Sequence, residues 1–438
     1  MILPNAVKKT HKSKMMYKKA ALIFLSWFML CDTTLFGQSD TLRIEDCYTL
    51  ARQYYPMAKQ HDLITRSETY SIDNASKGNL PQVSLYGQAT YQSDVPHLPI
   101  DLPGMEIPLI PKDQYKLYGE VTQVIYDGGV TGIEKQGHET RALADQQGIE
   151  VELYKLKERI NQLYFGILLI NEQIQQVNLL RKDIELGIAK TNASIENGTA
   201  LKSSVAVLQV ELLKSQQRSI ELDATRHAYM EMLGLMINQS IDENTILITP
   251  ATITSDQEIR RPELTWFEYQ RQSLALQNDM FDVRNRPKIS LFLQGGLGRP
   301  GLNIFDDALK GFYYGGLRIY WPLAGFYSVE NEKAMNEIKQ QTIDVQRETF
   351  LYNTNLQLRA QNHEILKWQE LLDTDDEIVA LRSTIKQTAL NQLENGVINT
   401  NDYLREVNAE DNARQSMLLH EIQLRMAQYS LWTTLGNE

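Results

Sequence analysis

Seven histidines stand at positions 11, 61, 97, 138, 227, 363 and 420, too far apart in sequence for any two to share one helix face as metal ligands. His227 is followed by Met230, Met232 and Met236, soft donors of the kind copper takes. Methionine at helical spacing is more often core filling, so no metal site is assigned. The run Gly295, Gly296, Leu297, Gly298 leads into Arg299 and Pro300 rather than into a helix. It therefore lacks the helix N-terminus that cradles phosphate and reads as the start of a loop. No catalytic residue and no cofactor site emerges from these spacings, and the chain is expected not to be an enzyme. Its function must be sought in its long-range pattern.

The 438 residues carry 42% apolar and 23% charged side chains, an ordinary balance for a folded protein. Lys8, Lys9, Lys12, Lys14, Lys18 and Lys19 precede an apolar run over 20–30 that is too short to span a bilayer comfortably. Residues 1–37 thus read as a secretory signal peptide, cut after the small residue Gly37, with Met15 or Met16 as alternative starts. Its loss would remove six lysines and Asp32, a net +5, and take the chain from −11 to −16. So acidic a protein is disfavoured as a nucleic-acid binder. Cleavage would leave Cys47 as the lone cysteine, so no intrachain disulfide is expected despite export. Lipidation of Cys31 would want a small residue before it, and Leu30 stands there. Beyond this region no stretch reaches the ~20 apolar residues of a spanning helix, so any membrane crossing would have to be made by strands.

Positions 112–249 and 323–438 contain no proline, whereas 56–111 and 262–322 are rich in it. Since proline breaks helix interiors, the two free blocks are open to long helices. In the first, Ile149, Leu153, Leu156, Ile160, Leu163, Ile167, Ile170, Ile174 and Val177 step by 4 and 3 without a miss, which is a heptad seam. A helix over 130–197 would be about 100 Å long at ~1.5 Å per residue, a rod that no compact globule needs. Each rod is expected to turn back at a matching phrase, Glu196, Asn197, Gly198 and Glu394, Asn395, Gly396, where Asn-Gly supplies left-handed conformations. The phrases lie 198 residues apart, and the same offset relates Gln123 and Val124 to Trp321 and Pro322. The chain is an internal duplication, 57–236 against 263–434.

Before each rod lies a pair of segments with period two. Val83, Leu85, Gly87, Ala89 and Tyr91 alternate with mostly polar residues, and Ile289, Leu291 and Leu293 repeat the pattern. The returning strands, 115–125 and 313–321, place Leu117 and Val121, or Leu317, Ile319 and Trp321, on one face and Glu120 or Arg318 on the other. Such alternation suits a membrane barrel strand, but a half-buried soluble sandwich edge alternates too. The rods decide between them, because a secreted chain of this kind offers no soluble core for the strands to cover. Four strands cannot close a barrel, and an open edge in lipid is forbidden. Three copies would give about twelve strands and a passage, whereas two would give about eight with an interior filled by side chains.

These residues resemble the TolC-type outer membrane efflux proteins. The segment 42–56 is similar to that family's first short helix, with Tyr55 where Asn is usual before Pro56. Leu80 and Pro81 open the first strand, Tyr126 to Gly129 and Trp321 to Gly325 make the strand-to-helix turns, and the two Glu-Asn-Gly phrases make the tips. The resemblance covers nearly the whole mature chain. It implies a mainly α fold with membrane β: duplicated long antiparallel coiled-coil helices plus four β-strands per chain, forming a trimeric 12-stranded barrel and an α-helical tunnel. The implied parts are a signal peptide 1–37, N-terminal periplasmic helices 38–79, a first β-hairpin 80–126 and a first long helical hairpin 127–237. An equatorial linker 238–262, a helix 263–286, a second β-hairpin 287–322 and a second long helical hairpin with the C-terminus, 323–438, complete it.

The resemblance further implies a passive homotrimeric exit duct in the bacterial outer membrane, bathed by outer-membrane lipid, with its tunnel in the periplasm. Its partners would be a periplasmic adaptor and an inner-membrane pump of RND or ABC type, in efflux or type I secretion. In the family, acids just past the second turn ring the periplasmic aperture. Counted from Gly396, the first falls on Asp402 and the next on Arg405, a departure from the pattern, with Glu406 one position on. Three copies of Asp402 would attract cations or pair with Arg405; alternatively Asp402 merely begins a helix at its positive end. Adaptor docking is expected at the tips, around Asn197, Gly198, Asn395 and Gly396, and the proline-rich 96–111 would form an outer lid. The competing reading is a non-conducting secreted coiled-coil scaffold or adhesin. A periplasmic adaptor has one coiled-coil hairpin, against which the 198-residue repeat argues.

Overall fold

The computed structural model describes residues 41–96, 110–198, 200–251 and 258–437. The expected signal peptide, Cys31 and most of the 96–111 loop lie outside these residues. In chain order the elements are β1 (Thr41–Leu42), α1 (Ile44–Tyr54), α2 (Gln60–Lys77), β2 (Gln82–Tyr91), β3 (Asp113–Tyr126), α3 (Val130–Tyr154), α4 (Leu156–Glu196) and α5 (Lys202–Ile237). There follow β4 (Ile246–Leu247), α6 (Pro262–Arg284), β5 (Lys288–Arg299), β6 (Lys310–Tyr320), α7 (Val329–Glu394) and α8 (Thr400–Leu435). The sequence helix, strand, strand, rod, returning helix thus occurs twice.

Local chemistry sets the boundaries. Tyr55 is held extended (φ −62, ψ 129) by the following Pro56, which ends α1, and Pro262 opens α6 where its missing N–H costs nothing. The first rod passes from α3 to α4 through Lys155, whose φ −63 and ψ −18 stay right-handed. The second, α7, runs 66 residues unbroken, about 100 Å at ~1.5 Å per residue. Of the heptad seam, every residue but Ile174 is buried.

Two cores hold the rods. In one, Ile44, Cys47 and Tyr48 of α1 pack against Ile160, Tyr164 and Phe165 of α4, Leu233 of α5 and Tyr429 of α8. The Tyr164 hydroxyl sits 2.7 Å from the carbonyls of Leu42 and Ile248, donating to one at a time, and so pins the parallel β1–β4 pair to the rod. The other core lies near the turns: Leu180 and Ile184 of α4, Leu208 of α5, Leu390 and Leu393 of α7, and Tyr403 and Val407 of α8.

The four long strands form one antiparallel sheet in the order β2-β3-β5-β6, so the two hairpins join at β3–β5. The glycine run 295–298 lies inside β5, paired with Gly119, Tyr118, Leu117 and Lys116, rather than starting a loop. Glycine weakens a strand unless neighbours cover it. Here Tyr118 and Phe312 flank Gly296 on the two adjoining strands, with ring centroids 6.3 Å apart.

Candidate functional site: the strand sheet and the turn tips

Register sorts the sheet into two unlike faces. Cross-strand rows such as Val83, Val121, Leu293, Gly315 and Ile289, Ile319 are apolar, and they stand open: Leu85 is 77% exposed and Leu317 58%. Tyr91, Tyr115 and Tyr313 bound this face at the hairpin-loop end, and Tyr126 and Trp321 bound it at the end nearest the helices. Tyr313 and Trp321 are eight steps apart, which at ~3.3 Å per residue and a tilt of about 40° spans roughly 20 Å. An apolar band of that height between aromatic belts matches the thickness of a thin bilayer.

The opposite face mixes polar and aromatic side chains. Glu120 of β3, nearly buried, accepts hydrogen bonds from Gln294 of β5, Thr122 (3.0 Å) and Arg318 of β6 (3.1 Å). Glu120 and Arg318 are 198 residues apart, the repeat offset, so equivalent positions of the two halves carry opposite charges that meet across β5. Sequence reasoning placed both on this face but did not pair them; the offset and the opposite signs were the available signal.

At the far end of the rods the two Glu-Asn-Gly phrases close the helices as expected, with one correction. Gly198 and Gly396 take the left-handed conformation (φ 74 and φ 67), but Asn197 and Asn395 stay right-handed (φ −82 and −89). One left-handed residue is enough: Gly396 N–H donates to Leu393 O (3.1 Å) and Val397 N–H to Gln392 O (2.8 Å), a Schellman closure. Asn399 then caps α8, its side chain accepting from the N–H groups of Asn401 and Asp402.

Asp402 lies in the first turn of α8, where the helix dipole favours a negative charge. Its nearest cation, Arg405, is 4.0 Å away, while Arg405 Nε reaches Glu406 at 3.1 Å and Arg382 of α7 holds the other Glu406 oxygen at 3.4 Å. The closer partner of Arg405 is therefore Glu406, not Asp402.

Apart from Glu394, the residues that tie the two hairpins together here were not singled out by the sequence. Lys190 pairs with Glu394. Lys386 of α7 bridges Asp183 of α4 (2.8 Å) and the buried Glu410 of α8 (3.4 Å), which Arg414 also meets. Tyr403 lies against Gly187, where a Cβ would come within 2.8 Å of its ring, and donates to Asp183 O at 3.2 Å. Burial raises the Tyr403 phenol above its ordinary value and keeps it a donor. Higher on the rod, Asp411 accepts from Gln176 at 3.2 Å with Arg218 3.8 Å away, yet burial holds its carboxyl above the usual aspartate range. His227, weighed above with the methionines, instead bridges Asp223 O and Glu243.

No protein-family profile and no curated protein matches the sequence. Solved structures do match the fold. The outer membrane protein VceC of Vibrio cholerae is similar over 90% of this chain and 96% of its own, at 15% identity and a TM-score of 0.65. CusC, described in terms of transmembrane channel formation, covers 90% and 92% at 13% identity and a TM-score of 0.68. The Campylobacter jejuni CmeC outer membrane channel covers 92% and 87% at 12% identity and a TM-score of 0.63. The chain has the fold of these outer membrane proteins and channels, mainly helical with one antiparallel sheet.

Proposed function

We propose that this protein is a passive channel-tunnel of the bacterial outer membrane, the exit duct through which a tripartite efflux or type I secretion system passes small molecules or polypeptides. The observation that carries the reading is the isolated sheet: four strands with an open apolar face between aromatic belts, mounted on ~100 Å rods. In lipid the free edges of β2 and β6 must be paired, and further copies of the chain offer the matching edges. Three copies give a barrel of about twelve strands with a lumen; the rods, placed in the periplasm, continue it as a tunnel. The segment 238–262 and the C-terminal end of α8, which meet where Arg260 N–H donates to Leu435 O, form the equatorial layer. Asp402, Arg405 and Glu406 face the periplasmic aperture, and the tips at Asn197, Gly198, Asn395 and Gly396 receive a periplasmic adaptor bound to an inner-membrane RND or ABC pump.

The mass of the assembly in mild detergent, after extraction from outer membranes, tests this directly. A trimer is expected, near three times 50.3 kDa less its signal peptides. A soluble monomer would end the reading, because the strand edges would then need no partners.

A further inference from the structure

This inference rests on the proposed barrel, in which the polar face of the sheet lines the lumen. On that face the strands carry Lys116, Lys288, Lys310 and Arg318 against one acid, Glu120, so the wall is basic in a chain of net charge −11. Glu120 is taken up by Arg318, Gln294 and Thr122, leaving Lys116 and Lys288 to set the field. Lys310 meets Asp306 of the hairpin loop, while Lys116 and Lys288 make no ion pair among the described residues.

The placement of the cations is as telling as their number. Lys116, Gly298 and Lys310 share one cross-strand row. The next row toward the helices, about 7 Å away, holds Tyr86, Tyr118, Gly296 and Phe312. Tyr86 and Tyr118 stack at 5.1 Å, Tyr118 and Phe312 lie at 6.3 Å, Phe312 and Tyr314 stack at 6.4 Å, and Tyr314 meets Phe292 edge-on at 5.9 Å. The track ends where the Arg318 guanidinium lies 4.5 Å over the Phe292 ring. Aromatic faces accept flat rings, and the Lys116 ammonium one side-chain repeat away is at the distance a substituent acid on such a ring would reach.

We propose that this wall is a transit site for aromatic anions: the ring lies on Tyr86, Tyr118 and Phe312 while its carboxylate or sulfonate is held by the Lys116 ammonium one row on. A cation of the same shape is repelled there. The charge field also opposes that of the acidic remainder of the chain, so the duct discriminates differently at its two ends.

Single-channel recording from purified trimers in planar bilayers tests it, with 1-naphthalenesulfonate or 1-naphthylmethylammonium added on the hairpin-loop side. The sulfonate is expected to block current at concentrations where the ammonium does not. Lys116→Gln should raise the half-blocking concentration of the sulfonate up to about tenfold, and Tyr86→Leu comparably, the loss of one charge or ring contact. Lys116→Arg should keep the block. Unaltered unitary conductance in each variant shows that its barrel is intact, and Tyr86, on the edge strand β2, leaves the ring pair over Gly296 in place. Equal block by both ions, or sulfonate block indifferent to Lys116→Gln, would overturn the inference and leave the duct standing. Protein that forms no pores would overturn both.

Discussion

Leu317→Arg puts a charge at the centre of the face proposed to meet lipid. Leu317 is 58% exposed in the single chain and lies four residues from Tyr313 and four from Trp321. At ~3.3 Å per residue and a tilt near 40° each aromatic belt is roughly 10 Å away, so the side chain sits close to the bilayer midplane. An arginine there costs about 2–4 kcal/mol, and three copies in one assembly would lose about 6–12 kcal/mol, comparable to the whole stability of a domain. The control is Gln88→Arg, one charge added on the opposite face of the same sheet, where water should solvate it; its cost should stay within a few tenths of a kcal/mol, set by repulsion from Lys116 in its row. The assay is the urea midpoint of the assembly refolded into liposomes, followed by its loss of resistance to dissociation on a gel. L317R should fail to insert or lose most of its midpoint while Q88R keeps it. Equal midpoints would mean that the apolar face does not meet lipid, and the reverse order would mean that the faces are assigned backwards.

Lys386→Met removes the tie to Asp183 and leaves the buried Glu410 with Arg414 as its remaining cation, so urea unfolding of the purified protein should show a loss of about 1–3 kcal/mol, part of it recovered by adding Glu410→Gln. Gly396→Ala forces a Cβ into a left-handed turn with open space around it, so the loss should be only about 1 kcal/mol, read as a drop in melting temperature; no loss would mean that the turn relaxes freely. Asp411 has a folded pKa raised by burial, so protonation favours the folded state and wild-type stability gains as pH falls through that value, the gain being complete below the ordinary aspartate range. Asp411→Asn, a neutral mimic, should therefore be more stable than wild type near neutrality and equal to it in acid; a constant difference across pH would assign the effect to lost hydrogen bonds instead.

What the sequence made legible is what repeats locally. The 4,3 spacing from Ile149 to Val177 announced a rod because one apolar side chain per turn must be buried along it, and the structure buries all but Ile174. The period-two strands were equally plain, since each position's face follows from its parity. Gly295 to Gly298 misled because a glycine run has no side-chain period to count; only the rings of Tyr118 and Phe312, brought in by neighbouring strands, make it a strand. Asn197 and Asn395 misled for a smaller reason, as the Schellman closure needs a single left-handed residue and glycine takes that place at lower cost.

The pairs that join the halves were illegible for a physical reason of their own. Asp183 and Lys386, Gln176 and Asp411, and Gly187 and Tyr403 are each more than 200 residues apart, and nothing in either local pattern marks one member as waiting for the other. The duplication supplies the missing coordinate. Two copies of one hairpin fold packed side by side bring equivalent positions close together, and identical residues there would often repel or collide. Charges of opposite sign at equivalent positions, such as Glu120 and Arg318, turn that repulsion into attraction. Selection on a duplicated sheet should therefore leave its mark as differences between the halves, so a repeat offset read together with reversed charge is the sequence signal from which such contacts can be found.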